Sequence, residues 1–250
     1  MRKLIGFIIL SVLPVIGYSA GGGNVHLEQA NYDLTDQASL QRGAKYFVNY
    51  CMGCHSAKYV RYESVAKHAG LTEDEVKNNL MFTESKKIGQ QMVSSMDPND
   101  ASRWFGTAIP DLTLTARLKN GGGDWIYTYL KSFYVDDSRS TGVNNIVFPD
   151  VGMPHVLVDL QGLQKANFKV ETDADGNEHK VFEGFEQIEA GSMSPEEYDS
   201  MVRDMTNFMV WASEPMKLER QRLGYWVIGF LVILFVLAYL LKKEYWKDIH

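Results

Sequence analysis

Two uninterrupted apolar runs frame the chain, and periodic mixtures of apolar and polar positions lie between them. Behind Arg2 and Lys3, residues 4–17 are apolar apart from Ser11, and the small residues Gly17, Ser19 and Ala20 follow. A basic start, a short apolar stretch and small residues make an export signal. The run is shorter than the roughly 20 residues that cross a bilayer, so residues 1–20 are expected to be a signal peptide cleaved near Ala20 rather than an uncleaved anchor. The second run, GYWVIGFLVILFVLAYLL at 224–241, carries no charge over 18 residues. As a helix it extends about 27 Å, close to the thickness of a hydrocarbon core. Tyr225 and Trp226 stand at one rim and Tyr239, Tyr245 and Trp246 at the other, as an aromatic belt does. Basic flanks balance (Lys217, Arg220 and Arg222 against Lys242, Lys243 and Lys247), so charge alone does not orient this span. The export signal does. Residues 21–215 are expected outside, 216–241 form a stalk and one transmembrane helix, and 242–250 form a cytoplasmic tail.

Between the runs the period is mostly that of a helix. Leu40, Ala44, Phe47 and Val48 share one face of a helix leading into Cys51. Thr72 and Glu75 make a capping box ahead of a short helix, and Ser194, Pro195 and Glu197 open a longer one. Residues 124–134 place Ile126, Tyr127, Leu130 and Phe133 or Tyr134 on one face behind a flexible Gly121-Gly122-Gly123. Met201, Met205 and Met209 recur every fourth residue and read as core packing, and Pro215 breaks or kinks the helix that carries them. The pattern predicts a mainly α domain on a C-terminal membrane stalk, without internal repeats.

The formal net charge of −6 argues against nucleic acid and anionic lipid surfaces as partners. Acidic residues gather between Glu171 and Glu189, around a DADGN tip that predicts a solvated hairpin; the same charge can steer a cationic partner.

Only two cysteines are present, Cys51 and Cys54, and His55 follows them. A disulfide across two residues closes a very small loop and constrains little. A thioredoxin-like pair needs a βαβ setting that is missing, and a structural zinc site needs ligands that no second cysteine pair supplies. C-x-x-C-H is the attachment signature of c-type haem. Each thiol adds to one vinyl group, two intervening residues let one turn reach both, and His55 falls under the iron as an axial ligand. One covalent haem c per chain is the reading favoured.

The sixth ligand is sought among the eleven methionines. Met153 lies in NNIVFPDVGMPHVL, between Gly152 and Pro154, in a loop free of helical constraint. His155, two residues on, is its rival, and Met81, Met92 and Met96 are weaker ones.

Several separated segments together resemble the cytochrome c1 family: RGAKYFVNYCMGCHS at 42–56, IPDLTLTAR at 109–117, GGDWIYTYLKSFY at 122–134, FPDVGMP at 148–154, and VWASEPMKLERQRLG at 210–224 with the membrane helix after it. The last is the most specific, since a generic cytochrome c has no reason to carry it. The resemblance implies a cytochrome c-like haem domain with loop insertions. Its axial ligands would be His55 and Met153, and its thioethers Cys51 and Cys54. It implies that the Pro110 carbonyl orients His55 and that Arg117 holds a haem propionate. Trp125 stands where the family often has a tyrosine, and Ile109-Pro110 replaces a common double proline. Some relatives carry an additional disulfide, for which this chain has no cysteine left. The implied setting is a dimeric ubiquinol–cytochrome c reductase of a bacterial inner membrane, with the haem domain on the periplasmic side. There the chain would take one electron from a Rieske iron–sulfur subunit, beside a cytochrome b, and give it to a cytochrome c, without bond chemistry of its own. The alternatives are another tethered c-type cytochrome serving a terminal oxidase, and a haem-free exported membrane-anchored binding protein with a small disulfide.

Overall fold

A computed structural model describes residues 25–82, 86–172, 176 and 178–247. The expected signal peptide, most of the DADGN tip and the last three residues of the expected tail lie outside this range.

Helix α1 (Gln37–Tyr46) starts where the Asp36 carboxylate accepts the Ser39 N–H, satisfying one of the free donors of a helix start. Its buried face carries Leu40, Gly43 and Ala44. The helix then widens into a π-helical turn, Phe47–Cys51, closed by the Met52 N–H on the Phe47 carbonyl at 3.0 Å. Such a turn inserts one residue into the helical register and is often found at functional sites. Here it keeps Phe47, Val48 and Cys51 all facing the core.

The chain continues as β1 (Ala57–Arg61), α2 (Tyr62–Ala69) and α3 (Glu73–Asn79), the last opened by the Thr72–Glu75 capping box. Then come β2 (Gln91–Met92), α4 (Pro98–Phe105), α5 (Thr115–Leu118) and α6 (Gly122–Lys131). Strands β3 (Phe133–Val135) and β4 (Val143–Asn145) pair antiparallel, with Phe133 opposite Asn145. A short α7 (Val158–Gln161) leads to the long hairpin β5 (Gly162–Thr172) and β6 (Glu178–Ala190). Helix α8 (Pro195–Ser213) opens with the full capping box of Ser194 and Glu197. Helix α9 (Lys217–Tyr245) follows Pro215, which separates the two helices rather than bending one.

The core forms where α8 lies across α1 and α6. Met201, Met205 and Met209 are buried in it together with Val202 and Phe208, and the Phe208 ring lies 5.3 Å from that of Phe47. The α1–α8 contact depends on Gly43. A Cβ there would come 2.1 Å from the Asp204 carbonyl oxygen and 2.8 Å from the Phe208 Cβ. Backbone cannot yield as a side chain does, so Gly43→Ala is expected to cost at least the ~1–3 kcal/mol of core overpacking. Chemical denaturation measures this, and an unchanged midpoint would contradict the close packing.

Two sequence expectations change. The helix expected over 124–134 ends at Lys131, because Phe133, Tyr134 and Val135 are aromatic or β-branched and find a strand partner in Val143–Asn145. The glycines expected to be flexible are a packing device. Gly121 and Gly122 adopt left-handed backbone (φ 91° and 56°), and a Cβ on Gly123 would meet the Tyr32 ring at 2.6 Å. The acidic stretch is the outer half of the hairpin, which begins well before it at Gly162.

In α9, 29 residues long, no residue is buried, and its best 18-residue window has a mean hydropathy of 2.4. By length and composition it is able to cross a membrane.

Candidate haem-attachment site

The widened end of α1 delivers the three residues of the C-x-x-C-H motif, Cys51, Cys54 and His55. The Cys51 carbonyl accepts the N–H groups of Cys54 (3.1 Å) and His55 (2.8 Å), closing a tight turn. Neither cysteine is in a disulfide; Cys51 is buried and Cys54 partly exposed. The Cys51 sulfur lies 3.8 Å from the Met205 sulfur. Burial, with a smaller effect from Cys54, pushes the Cys51 thiol up to about 12, so it is a neutral thiol at neutral pH.

His55 Nδ1 lies 2.8 Å from the Pro110 carbonyl oxygen, which has no proton to give, so the ring donates from Nδ1. That fixes the tautomer and leaves Nε2 unprotonated, with no hydrogen-bond partner among the described residues. Burial lowers the His55 pKa; the Pro110 bond and nearby Asp111 oppose it without overcoming it. The imidazole is neutral, the form that binds a metal.

Residues that sequence reasoning did not single out hold this arrangement together. The Leu112 N–H donates to the Ser56 carbonyl (2.8 Å), and the Asp111 carboxylate accepts from the N–H groups of Lys58 (2.9 Å) and Thr113 (3.0 Å). These bonds fasten the Pro110 loop to the attachment turn. From the other side, the Ser94 hydroxyl donates to the Gly53 carbonyl (3.0 Å), and the Ser94 N–H donates to the Ser56 hydroxyl (2.9 Å). The Asp-Leu-Thr order was a usable signal, since Asp commonly caps the backbone two residues on. Ser94 offered none.

Met153 is placed on a second, smaller apolar cluster with Phe133, Val143 and Val151. Two asparagines build its loop. Asn144 Oδ1 accepts the Asp150 N–H, and Asn145 Oδ1 accepts those of Val147 and Phe148. Asn145 is 1% exposed, so it belongs to the scaffold rather than the surface. The Tyr129 hydroxyl donates to the Met153 sulfur at 3.4 Å. His155 is buried with its ring stacked on Phe133 (4.9 Å between centroids, 3° apart), and neither ring nitrogen has a partner within hydrogen-bond geometry among the described residues. Burial pushes it down to about 4, against a weaker upward pull from Gln161. Met81 and Met92 are fully buried in the main core.

The attachment turn, His55 and Pro110 thus form one group, and Met153 sits in another. Arg117 belongs to neither by any hydrogen bond or ion pair among the described residues. It is exposed on α5 and lines a cleft of about 220 Å³ with Tyr32, Asp124, Glu214 and Lys217. Lys119, two residues on, lies over the rings of Trp125 (4.5 Å) and Phe148 (4.8 Å).

These residues suit a haem. Two unjoined thiols lie one turn apart beside a neutral imidazole whose inner nitrogen is already bonded. Leu114, Leu118 and Phe148 expose apolar surface on the segments that follow Pro110 and precede Met153. The C-x-x-C-H turn and the one long apolar helix among the described residues point to a class, the membrane-anchored c-type cytochromes.

Comparison with known proteins narrows the class. The model of the cytochrome C1 family matches residues 28–249. A cytochrome c1 of Allochromatium vinosum is 54% identical over the whole of both chains. A protein of Nitrosomonas europaea named ammonia monooxygenase gamma subunit is 42% identical over 99% of this chain and all of its own. A cytochrome c1 of Rhodospirillum rubrum is 26% identical over 97% of this chain and 94% of its own. The chain belongs to the cytochrome c1 family, whose members are electron-transfer subunits of a redox complex.

Proposed function

We propose that this chain carries one electron at a time from a Rieske iron–sulfur subunit to a cytochrome c, within a ubiquinol–cytochrome c reductase that also holds a cytochrome b. The observation that carries the reading is the His55–Pro110 bond beside two unjoined thiols. It holds a neutral imidazole in one tautomer, with Nε2 turned away from its anchor, as metal-binding histidines are held by carbonyl partners. A haem bound there supplies a one-electron couple. The chain's own residues do the rest. Cys51 and Cys54 anchor the group, and His55 and Met153 give a nitrogen and a sulfur ligand, a pair that favours a raised potential. Pro110 fixes the imidazole, and Arg117, which has no ion-pair partner among the described residues, offers a guanidinium to a haem carboxylate.

The proposed setting is the inner membrane of a bacterium. Residues 1–20 direct export, 21–215 form the periplasmic haem domain, 216–241 cross the membrane, and 242–250 lie in the cytoplasm. A dimeric complex fits the reading, with the acidic half of the hairpin available to a basic partner. The Nitrosomonas relative bears the name of a different oxidoreductase, so the assembly is what needs testing. Mild-detergent purification through a tag on the C-terminal tail is expected to bring down a cytochrome b and a Rieske protein. Recovery of an oxidase or a monooxygenase in their place would overturn the assignment.

A further inference from the structure

Tyr129 lies between the main core and the cluster that holds Met153, and its ring packs against both. Trp125 stacks on it at 4.9 Å and 11°, and Phe133 meets it edge-on at 5.2 Å. Its backbone carbonyl accepts from Asn145 Nδ2 at 2.8 Å, and Asn145 is the residue that shapes the loop leading to Met153. Tyr129 and the loop are therefore fixed to each other at two points, its backbone carbonyl on Asn145 and its hydroxyl on the Met153 sulfur.

We propose that Tyr129 is a positioning residue for the Met153 thioether, holding it through a hydrogen bond to sulfur and setting the reduction potential upward. This rests on the reading of Met153 as an iron ligand. A thioether sulfur has two lone pairs, so a donor on one leaves the other for a metal. Trp125, stacked on the Tyr129 ring, carries only an indole N–H. Tyr129 lies four residues on, on the same helical face, and places a hydroxyl on the methionine side. Hydrogen bonding draws electron density from sulfur and makes it a poorer donor. The ferric state depends more on that donation than the ferrous state, so the bond favours reduction.

The test is Tyr129→Phe in the full membrane-bound complex, which removes the hydroxyl and keeps the ring stack. Covalent haem and thermal stability are expected to match the parent. The reduction potential is expected to fall by up to about tenfold in the redox equilibrium, about 59 mV for one electron, while the ferric sulfur-to-iron charge-transfer band persists, since the sulfur stays and becomes the better donor. In a Met153→Leu background the same change should add no further shift in potential. A potential equal to the parent's in Tyr129→Phe, with a lowered one in Met153→Leu, would overturn the role of Tyr129 and leave the ligand standing. An unchanged potential in Met153→Leu itself would remove the ligand and this proposal with it.

Discussion

Replacing Met153 by leucine is expected to leave haem covalently attached, lower the reduction potential steeply and stop electron transfer. On the proposed reading attachment is made by Cys51 and Cys54, which lie on the C-x-x-C-H turn and not in the Met153 loop. Leucine is close to methionine in volume and is tolerated in cores, so the cluster of Phe133, Val143 and Val151 should keep its packing. What is lost is the sulfur. Axial ligands set haem potentials over roughly 0.8 V, and loss of a thioether that favours the reduced form should cost on the order of 0.1 V or more of that range. Redox titration of membranes, read beside a haem-stained gel, separates the two effects. A parental potential would point to His155 or another methionine.

The largest stability loss is expected from Arg42→Leu. Arg42 holds Asp204 through two parallel bonds, Nε to Oδ2 at 2.5 Å and Nη2 to Oδ1 at 2.9 Å, across the α1–α8 contact. The Asp204 side chain is 7% exposed and that of Arg42 51%. Removing the cation leaves a carboxylate buried without its partner, which typically costs about 3–5 kcal/mol. Half of the Arg42 side chain faces water, which screens the pair, so the low end, about 3 kcal/mol, is expected. That is a large share of the roughly 5–15 kcal/mol by which domains are stable. Asp204→Asn in the same background should recover part of it, because the charge that lost its partner is gone. Denaturation midpoints of the single and double variants decide this; a loss below about 0.5 kcal/mol would place the pair among solvent-screened surface bridges.

The parts legible in the sequence were those set by local chemistry. Leu40, Ala44 and Phe47 at helical spacing, the two capping boxes and the 224–241 run each declare themselves within a few residues, and the corresponding elements are present. Cys51, Cys54 and His55 are adjacent in the chain, so no fold is needed to bring them together. Pro110 entered through family resemblance alone, since a backbone carbonyl leaves no side-chain signature. What stayed hidden depends on long-range pairing. Phe133 continues a helical period until Asn145 is seen opposite it. Asn144 and Asn145 read as ordinary loop residues, and only the fold shows them buried and bonded to the Met153 loop. Tyr129 carried no local signal that set it apart.

The central claim is thioether-bound haem at Cys51 and Cys54. It is tested most directly by haem staining of the membrane fraction after a denaturing gel, with a reduced-minus-oxidised spectrum of the same sample. A stained band at the mass of this chain, with a c-type spectrum, is the result predicted. An unstained band, with the polypeptide present and the haem-attachment machinery active, would contradict it and leave the two cysteines free to form a small disulfide.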